Sequence, residues 1–224
     1  MKYKFLTCAI AALLVVAPLT HAATAQYPAK PVRMIVGFAP GGGTDTTARA
    51  ISAKLGELIG QQVIIDNRAG AAGNIATEIV ARANPDGYTL LLGTIAALAI
   101  NPSLYRTKLP FDSVKDFAPI IQAVDSTNIL SAHPSVPVSS VKELIALAKV
   151  KPLNYGSSGV GGTGHLAGEL FDTMAGTKMT HIPYKGGGPA MIDLVGGQVQ
   201  LVFATAASAV PQIKAGKIKG IAVT

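Results

Sequence analysis

From residue 27 onward, short apolar runs alternate with longer amphipathic stretches. Val32-Arg33-Met34-Ile35-Val36 is β-branched and ends at Gly37, which reads as a strand. From about Thr46 the chain reads as a helix, with Ile51, Leu55, Leu58 and Ile59 on one face and Gly60 at its close. Residues 62–66 read as the next strand. Residues 74–83 read as a helix with Ile75, Ile79 and Val80 inward. Pro85-Asp86-Gly87 is a turn by composition, and residues 88–92 form a third strand. Such a β-α-β-α-β order predicts a parallel sheet with helices on both faces.

Pro102, Pro110 and Pro119 divide the next stretch into short pieces. Residues 119–124 and 129–132 read as two strands joined by Asp125-Ser126-Thr127-Asn128, a crossover between two domains. A second alternation follows. Ser140-Val141-Lys142-Glu143 is a capping box, and its helix carries Leu144, Leu147 and Ala148. Residues 153–156 form a strand, and Leu166, Leu170, Phe171 and Met174 define a helix. Residues 179–184 form a strand, and Pro189 suits the first turn of a helix that runs to Val195. A strand over 199–204, a short helix over 209–215 and a strand over 218–223 complete the pattern. The halves share an architecture and no detectable sequence repeat.

The N-terminus breaks this pattern. Lys2 and Lys4 precede an apolar run over residues 5–19, and Ala23-Thr24-Ala25 is a small-x-small cleavage site, with Thr20-His21-Ala22 as a second choice. This is the layout of a secretory leader. The run is shorter than the ~20 apolar residues a spanning helix needs. The one cysteine, Cys8, leaves with the leader, so the exported remainder has no thiol to misoxidise. The division expected is a leader over 1–25, a first α/β domain over 26–124 and a second over 125–224.

Composition narrows the classes further. Charged residues are 14% against a typical ~25%, and hydrophobic residues are 49%, which excludes a disordered chain. The net charge of +7 is scattered, and its one cluster, Lys214, Lys217 and Lys219, has no interleaved aromatics, so no nucleic-acid partner is expected. Trp is absent and only 6 Tyr and 6 Phe occur, so a ligand site would rest on backbone and small polar groups. At roughly 150 residues per domain, 224 residues make about one and a half domains.

Glycine-rich turns between strands and helices carry the candidate chemistry. Gly37-Phe38-Ala39-Pro40-Gly41-Gly42-Gly43-Thr44-Asp45 nearly matches a phosphate-binding P-loop, but Gly43 stands where its lysine must be. Three glycines still allow close backbone approach, and a helix N-terminus favours an anion. Asp45 can pair with Arg49 one turn on, or orient the loop. A second turn holds a formal G-x-G-x-x-G at Gly159, Gly161 and Gly164. The dinucleotide fingerprint also needs an acidic residue about 20 positions later, and here Pro183-Tyr184-Lys185 has none. What survives is a second anion cradle, with Ser157 and Thr163 as donors. In Tyr184-Lys185-Gly186-Gly187-Gly188-Pro189, Tyr184 could close one side of a cleft while Lys185 is solvated. His133, His165 and His181 have no metal-ligand spacing, and His165 reads equally as an anion donor or a structural residue. Anion-binding turns without nucleophile, base or metal predict a binding protein without a cofactor. The competing class is a phosphate- or nucleotide-binding enzyme using the same turns.

Several segments together carry a family resemblance. They are Tyr27-Pro28-Ala29-Lys30-Pro31-Val32-Arg33, Phe38-Ala39-Pro40-Gly41-Gly42-Gly43-Thr44-Asp45, Asn67-Arg68-Ala69-Gly70-Ala71-Ala72-Gly73-Asn74 and Pro85-Asp86-Gly87-Tyr88-Thr89-Leu90. They continue in Tyr155-Gly156-Ser157-Ser158-Gly159, His165-Leu166-Ala167-Gly168-Glu169-Leu170-Phe171 and His181-Ile182-Pro183-Tyr184-Lys185-Gly186-Gly187. The chain resembles the periplasmic solute receptors of tripartite tricarboxylate transporters, the Bug receptors. The resemblance implies an α/β, two-domain periplasmic-binding-protein-like clamshell, each domain a mostly parallel sheet flanked by helices. It implies a non-enzymatic receptor that holds a small carboxylate, a di- or tricarboxylate or an aromatic acid, between the domains. Partners would be integral membrane transporter subunits or a sensor protein, and the full-length receptor would be a monomer. Carried over, the first domain would contribute Phe38, Ala39, Gly42, Gly43, Thr44, Asp45, Asn74 and Thr94. The second would contribute Gly156, Ser157, Gly159, Gly161, Thr163, Tyr184 and Thr205. Ala204 replaces an aspartate common in the family, which disfavours an amine-bearing ligand. Relatives continue beyond the strand that ends at Thr224 and return to the first domain. The resemblance therefore implies that the C-terminal part of the first domain is missing, with poor solubility and weak binding as expectations.

Overall fold

The computed structural model describes residues 27–105 and 109–224. The secretory leader read from the sequence lies outside the described residues. Among those residues, no helix is long and apolar enough to cross a membrane.

The first half alternates as its hydrophobic pattern predicts. Strands β1 (Val32–Val36), β2 (Val63–Asn67) and β3 (Thr89–Leu92) form a parallel sheet in the order β2-β1-β3. Helix α1 (Gly43–Ile59) follows β1 and starts three residues earlier than the apolar spacing suggests. It ends at Gly60, whose φ of 68° is the left-handed stop that glycine adopts without a Cβ clash. Its core contact is Ala48 with Ile51, Leu55 and Ile59 beside it, whereas Leu58 points to solvent at 74% exposure. Helix α2 (Asn74–Ala81) is preceded by a 3-10 turn over Ala71–Gly73. Its buried side is Ala76 and Thr77, and Ile75 is exposed, so the inward face expected from Ile75 is rotated.

The stretch expected as short proline-broken pieces contains a helix instead. A π-helical turn (Ala96–Ile100) runs into α3 (Asn101–Tyr105). Pro102 is the second residue of α3, directly after the π-helical turn, and the helical run passes through it. Residues 119–124 form no strand. Ile120 and Ile121 are about four-fifths exposed, and among the described residues no strand pairs with this stretch.

The second half is a five-stranded sheet in the order β6-β5-β7-β4-β8. Its strands are β4 (Asn128–Ala132), β5 (Asn154–Ser157), β6 (Thr180–Pro183), β7 (Leu201–Thr205) and β8 (Lys219–Val223). β5, β6 and β7 are parallel, and β4 runs antiparallel to both β7 and β8. β7 is buried on both faces. Leu201 and Phe203 join one core with Leu130, Leu144 and Tyr155, while Val202 and Ala204 join another with Met191, Leu194 and Ala209.

Four helices cover this sheet: α4 (Val141–Ala148), α5 (Thr163–Ala175), α6 (Gly187–Val195) and α7 (Ala206–Lys214). The capping box at α4 forms with one change. Ser140 Oγ accepts from Glu143 N at 3.3 Å, but the Glu143 carboxylate accepts from Ser139 N rather than from the cap's own amide. Of the apolar residues that define α5, only Phe171 packs on the core. Leu170 and Met174 are exposed, and Gly164 and Gly168 lie against the sheet. A Cβ at Gly168 would stand 2.3 Å from the Tyr155 ring. Close backbone approach at the two glycines, together with Ala167 and Phe171 packed on the core, seats this helix.

Candidate functional site

The turns that leave the carboxyl ends of the parallel strands in one half meet those of the other half. Ligands of open α/β sheets sit at such ends. The turn from β1 to α1 meets the second half directly. Ala39 N donates to Lys185 O at 2.9 Å. A Cβ on Gly42 would lie 3.0 Å from Gly188 N, and one on Gly43 would lie 2.0 Å from Thr205 Oγ1. The turn from β2 to α2 meets the turn from β5 to α5, where a Cβ on Gly159 would contact Ala72.

Beside these contacts lies a cavity of about 270 Å³. The first half lines it with Phe38, residues 70–72 and Tyr105, and the second half with residues 158–160 and 183–185. Five helices begin around this junction: α1, α2, α5, α6 and α7. None has a side-chain cap at its N-terminus. Helix α4 follows the antiparallel strand β4, starts at the opposite end of the sheet, and is capped by Ser140. Helix starts carry amides without intrahelical partners and a partial positive charge. Capping is thus withheld where the two halves face each other.

The wall at residues 70–73 has unusual backbone. Ala71 and Ala72 have φ of 47° and 51°, between Gly70 at 140° and Gly73 at 95°. An alanine in the left-handed region costs on the order of 1 kcal/mol or more, and such residues cluster at ligand clamps.

The first loop is held from below by Asp45, 3% exposed. Its carboxylate accepts from Gly41 N, from Arg49 Nε and Nη2, and from Asn67 Nδ2, each at 3.0 Å. Burial alone would raise its pKa. The hydrogen bonds from Arg49, Gly41 and Asn67 outweigh burial and hold it below the ordinary aspartate value. Both readings of Asp45 therefore apply: it pairs with Arg49 and it orients the turn. Phe38 is buried and closes the cavity floor, and Asn67 Nδ2 ties its carbonyl at 2.9 Å. Thr44 is half-buried at the start of α1. Asn74 opens α2, and its Oδ1 accepts from Asn101 Nδ2 at 2.7 Å. Thr94 follows β3 with its Oγ1 buried and unpartnered.

The second-half residues divide into two groups. Gly159 borders the cavity, as does Tyr184, whose hydroxyl donates to Asp193 Oδ2 at 2.6 Å. Burial, reinforced by Asp193, pushes that phenol up to about 12. Thr163 begins α5, and Gly161, with φ of 82°, makes the turn before it. Thr205 precedes α7 and meets Ser208 Oγ at 3.1 Å. Gly156 and Ser157 lie deeper. A Cβ on Gly156 would press on Val202 and Tyr184. Ser157 is fully buried, with Oγ 2.7 Å from His181 Nε2 and accepting from Gly159 N at 3.1 Å. Lys185 is exposed, as its sequence context implies, and contributes its carbonyl.

Sequence reasoning did not single out Ala71, Ala72, Ser158, Val160, Tyr105 or Asn101. Nothing in a side-chain pattern announces a left-handed alanine. Gly70 and Gly73 bracketing the pair are the one available signal, since glycine is the residue of positive φ. No group of three or more His, Cys, Asp or Glu residues able to hold a metal occurs among the described residues.

Comparison with known proteins places this geometry. The family model described as "Tripartite tricarboxylate transporter family receptor" matches residues 47–224. A UPF0065 protein of Bordetella pertussis is 39% identical over 216 residues, covering 95% of this chain and 65% of the relative. Protein BugT of the same organism is 38% identical over 200 residues, covering 88% and 61%. Among solved structures, an R. palustris protein described with adipate is 44% identical with a TM-score of 0.85, covering 88% of this chain and 67% of that one. MatC from Rhodopseudomonas palustris, described with bound malate, is 32% identical with a TM-score of 0.80 at the same coverage. The chain thus spans about 65% of the length of the first of these curated relatives. The fold is the α/β fold of periplasmic binding proteins, and the chain belongs to the receptor family of tripartite tricarboxylate transporters.

Proposed function

We propose that this chain is the ligand-binding portion of an extracytoplasmic receptor for a small carboxylate. The ligand occupies the cleft between the halves, and the closed receptor presents it to integral membrane transporter subunits or to a sensor protein. The observation that carries this reading is that uncapped helix starts from both halves gather at one junction, with the N-caps of α2, α5 and α6 within two residues of the lining of its small cavity. Unpartnered amides favour an anion, and their fixed dipoles do so without a cationic side chain. A carboxylate is the anion favoured because relatives in the family are described with adipate and malate. The ligand-contacting set proposed is Phe38, Thr44, Asn74, Thr94, Gly159, Gly161, Thr163 and Tyr184, with Asp45 and Ser157 holding their loops from behind. Ala39, Gly42, Gly43 and Thr205 form the contact by which the halves close, and Gly156 packs the strand beneath. The division proposed is one domain over 26–124 and another over 125–224. The protein acts in the periplasm after export, as a monomer at full length and without a cofactor.

A thermal-shift panel tests this. A ligand at about 100 times its Kd stabilises the fold by about 2.7 kcal/mol. Malate, adipate, succinate, citrate and aromatic acids are the probes, with ATP and NAD as counter-ligands. A shift with one or more acids supports the reading. No shift with any acid and a shift with a nucleotide would overturn it.

A further inference from the structure

Beneath the turn from β5 to α5 lies a cluster of polar rings that the binding site does not touch. His165 and His181 stack with centroids 4.1 Å apart, and Tyr155 stacks on the other side of His181 at 5.0 Å. Each imidazole supports the turn through a ring nitrogen. Gly161 N donates to His165 Nδ1 at 3.2 Å. A backbone amide can only donate, so this Nδ1 is bare, and the neutral ring carries its proton on Nε2, 3.6 Å from Glu169 Oε1. His181 Nε2 lies 2.7 Å from Ser157 Oγ. Ser157 Oγ accepts from Gly159 N at 3.1 Å and has a second contact with Gly159 O at 3.2 Å. Its single hydrogen serves one of two acceptors. A neutral His181 with a bare Nε2 takes it at the shorter distance.

We propose that His165 and His181 are positioning residues of the carboxylate site, His165 accepting directly from the Gly161 amide and His181 holding the Ser157 hydroxyl that accepts from the Gly159 amide, so that protonating the rings releases the turn and weakens ligand binding. This rests on the receptor reading above. A proton on His165 Nδ1 would face the Gly161 amide hydrogen, donor against donor. A proton on His181 Nε2 would donate to Ser157 Oγ and turn the serine hydrogen toward Gly159 O. Either event re-aims the turn that borders the cavity at Gly159 and Val160. The titratable and charged groups facing the pair, among the described residues, are Tyr155 from β5 and Glu169 from α5, with Asp172 of α5 behind Tyr155. β7 presents the apolar Phe203. Burial first, then the neighbouring His165, lowers His181 to about 4, against a smaller upward pull from Glu169. The neutral ring is thus the resident form at neutral pH.

The test uses the chain itself, wild type and His165→Asn/His181→Gln, which keep an acceptor near each nitrogen position but cannot titrate. Amide resonances of Gly159 and Gly161 are followed by NMR from about pH 7.5 to about pH 4, across and below the ordinary histidine value. Affinity for malate and adipate is measured by calorimetry over the same range. In the wild type both amides should move as pH falls toward 4, and at about pH 4, where His181 is about half protonated, affinity should fall about twofold or more beyond any change in the variant. Comparing the two proteins cancels titration of the acids themselves. Amides that stay fixed in the wild type, or that titrate identically in the variant, would overturn the proposal. So would an affinity that rises on acidification, since the rings would then act as cationic donors to the ligand. If the amides titrate and neither acid binds at any pH, the receptor reading is what fails, and the assignment to a carboxylate site falls with it.

Discussion

Substituting Gly43 by alanine should separate closure of the halves from folding. The added methyl would stand 2.0 Å from Thr205 Oγ1 and 2.9 Å from Thr205 Cβ. Rotation about χ1 of Thr205 moves Oγ1 but leaves Cβ in place, so the rotamer alone cannot relieve the clash. Overpacking of this kind costs about 1–3 kcal/mol. Gly43 begins α1 in the first half and Thr205 precedes α7 in the second, so opening the cleft removes the strain without unfolding either sheet. The cost should then fall on ligand affinity. At about 1.4 kcal/mol per decade that is roughly 5- to 150-fold weaker binding. The melting temperature without ligand should change little, because alanine also favours the helix. Calorimetry with malate or adipate reads the affinity, and a thermal melt reads the stability. Adding Thr205→Gly should recover most of the loss, giving a coupling energy of about 1 kcal/mol or more. Wild-type affinity in Gly43→Ala, or no recovery in the double variant, would refute the closure contact.

Other consequences follow from the same geometry. Asp45→Asn should destabilise the chain by about 1–3 kcal/mol at neutral pH, since a charge-assisted set of hydrogen bonds becomes a neutral one. Because Asp45 is held below its ordinary value, its contribution is present above about pH 4 and lost as pH falls through the folded value, so the variant's urea stability should vary less with pH there. His181 works in the opposite direction from a salt-bridged histidine. Its unfolded form binds a proton near pH 6.5 and its folded form near pH 4, so stability should fall as pH drops through that window. The shift corresponds to about 3 kcal/mol at most, and screening at a partly exposed ring reduces it to about 2; His181→Gln should flatten the acid limb of a denaturation profile. Gly168→Ala should lower stability by about 1–3 kcal/mol in urea melts, because its methyl would meet the fully buried Tyr155 ring.

The order of strands and helices was legible because apolar periodicity reports which side of an element is buried. β1 was read to the residue, and its four buried positions follow from a β-branched run in the middle of a sheet. Helix faces were less legible where small residues do the packing. Leu166, Leu170, Phe171 and Met174 announce a helix, yet of these only Phe171 packs on the core, and the close approach is made by Gly164 and Gly168, which carry no hydrophobic signal. The α2 face fails for the same reason, with Ala76 inward and Ile75 outward. Residues 119–124 have strand propensity, but a strand also needs a neighbour, and single-sequence reasoning supplies none. For the candidate site, the glycine turns were legible as close-approach backbone. Whether a given glycine faces a ligand, the opposite half or its own sheet was not, because Gly43, Gly156 and Gly159 look alike in sequence and differ only in what lies opposite them.

The uncapped helix starts have a consequence for how such a receptor changes over time. An amide belongs to every residue, so substituting side chains around the junction leaves that part of the anion cradle standing. Grip on the charged head of a ligand is therefore insulated from mutation, and only changes that move the backbone, such as filling Gly43 or Gly161, threaten it. Side chains at the rim of the cavity, Tyr105 and Val160 among them, are free to vary without that penalty. On the proposed carboxylate reading, a lineage could then exchange one acid for another by editing the rim alone, keeping recognition of the carboxylate constant while the rest of the molecule it accepts is renegotiated.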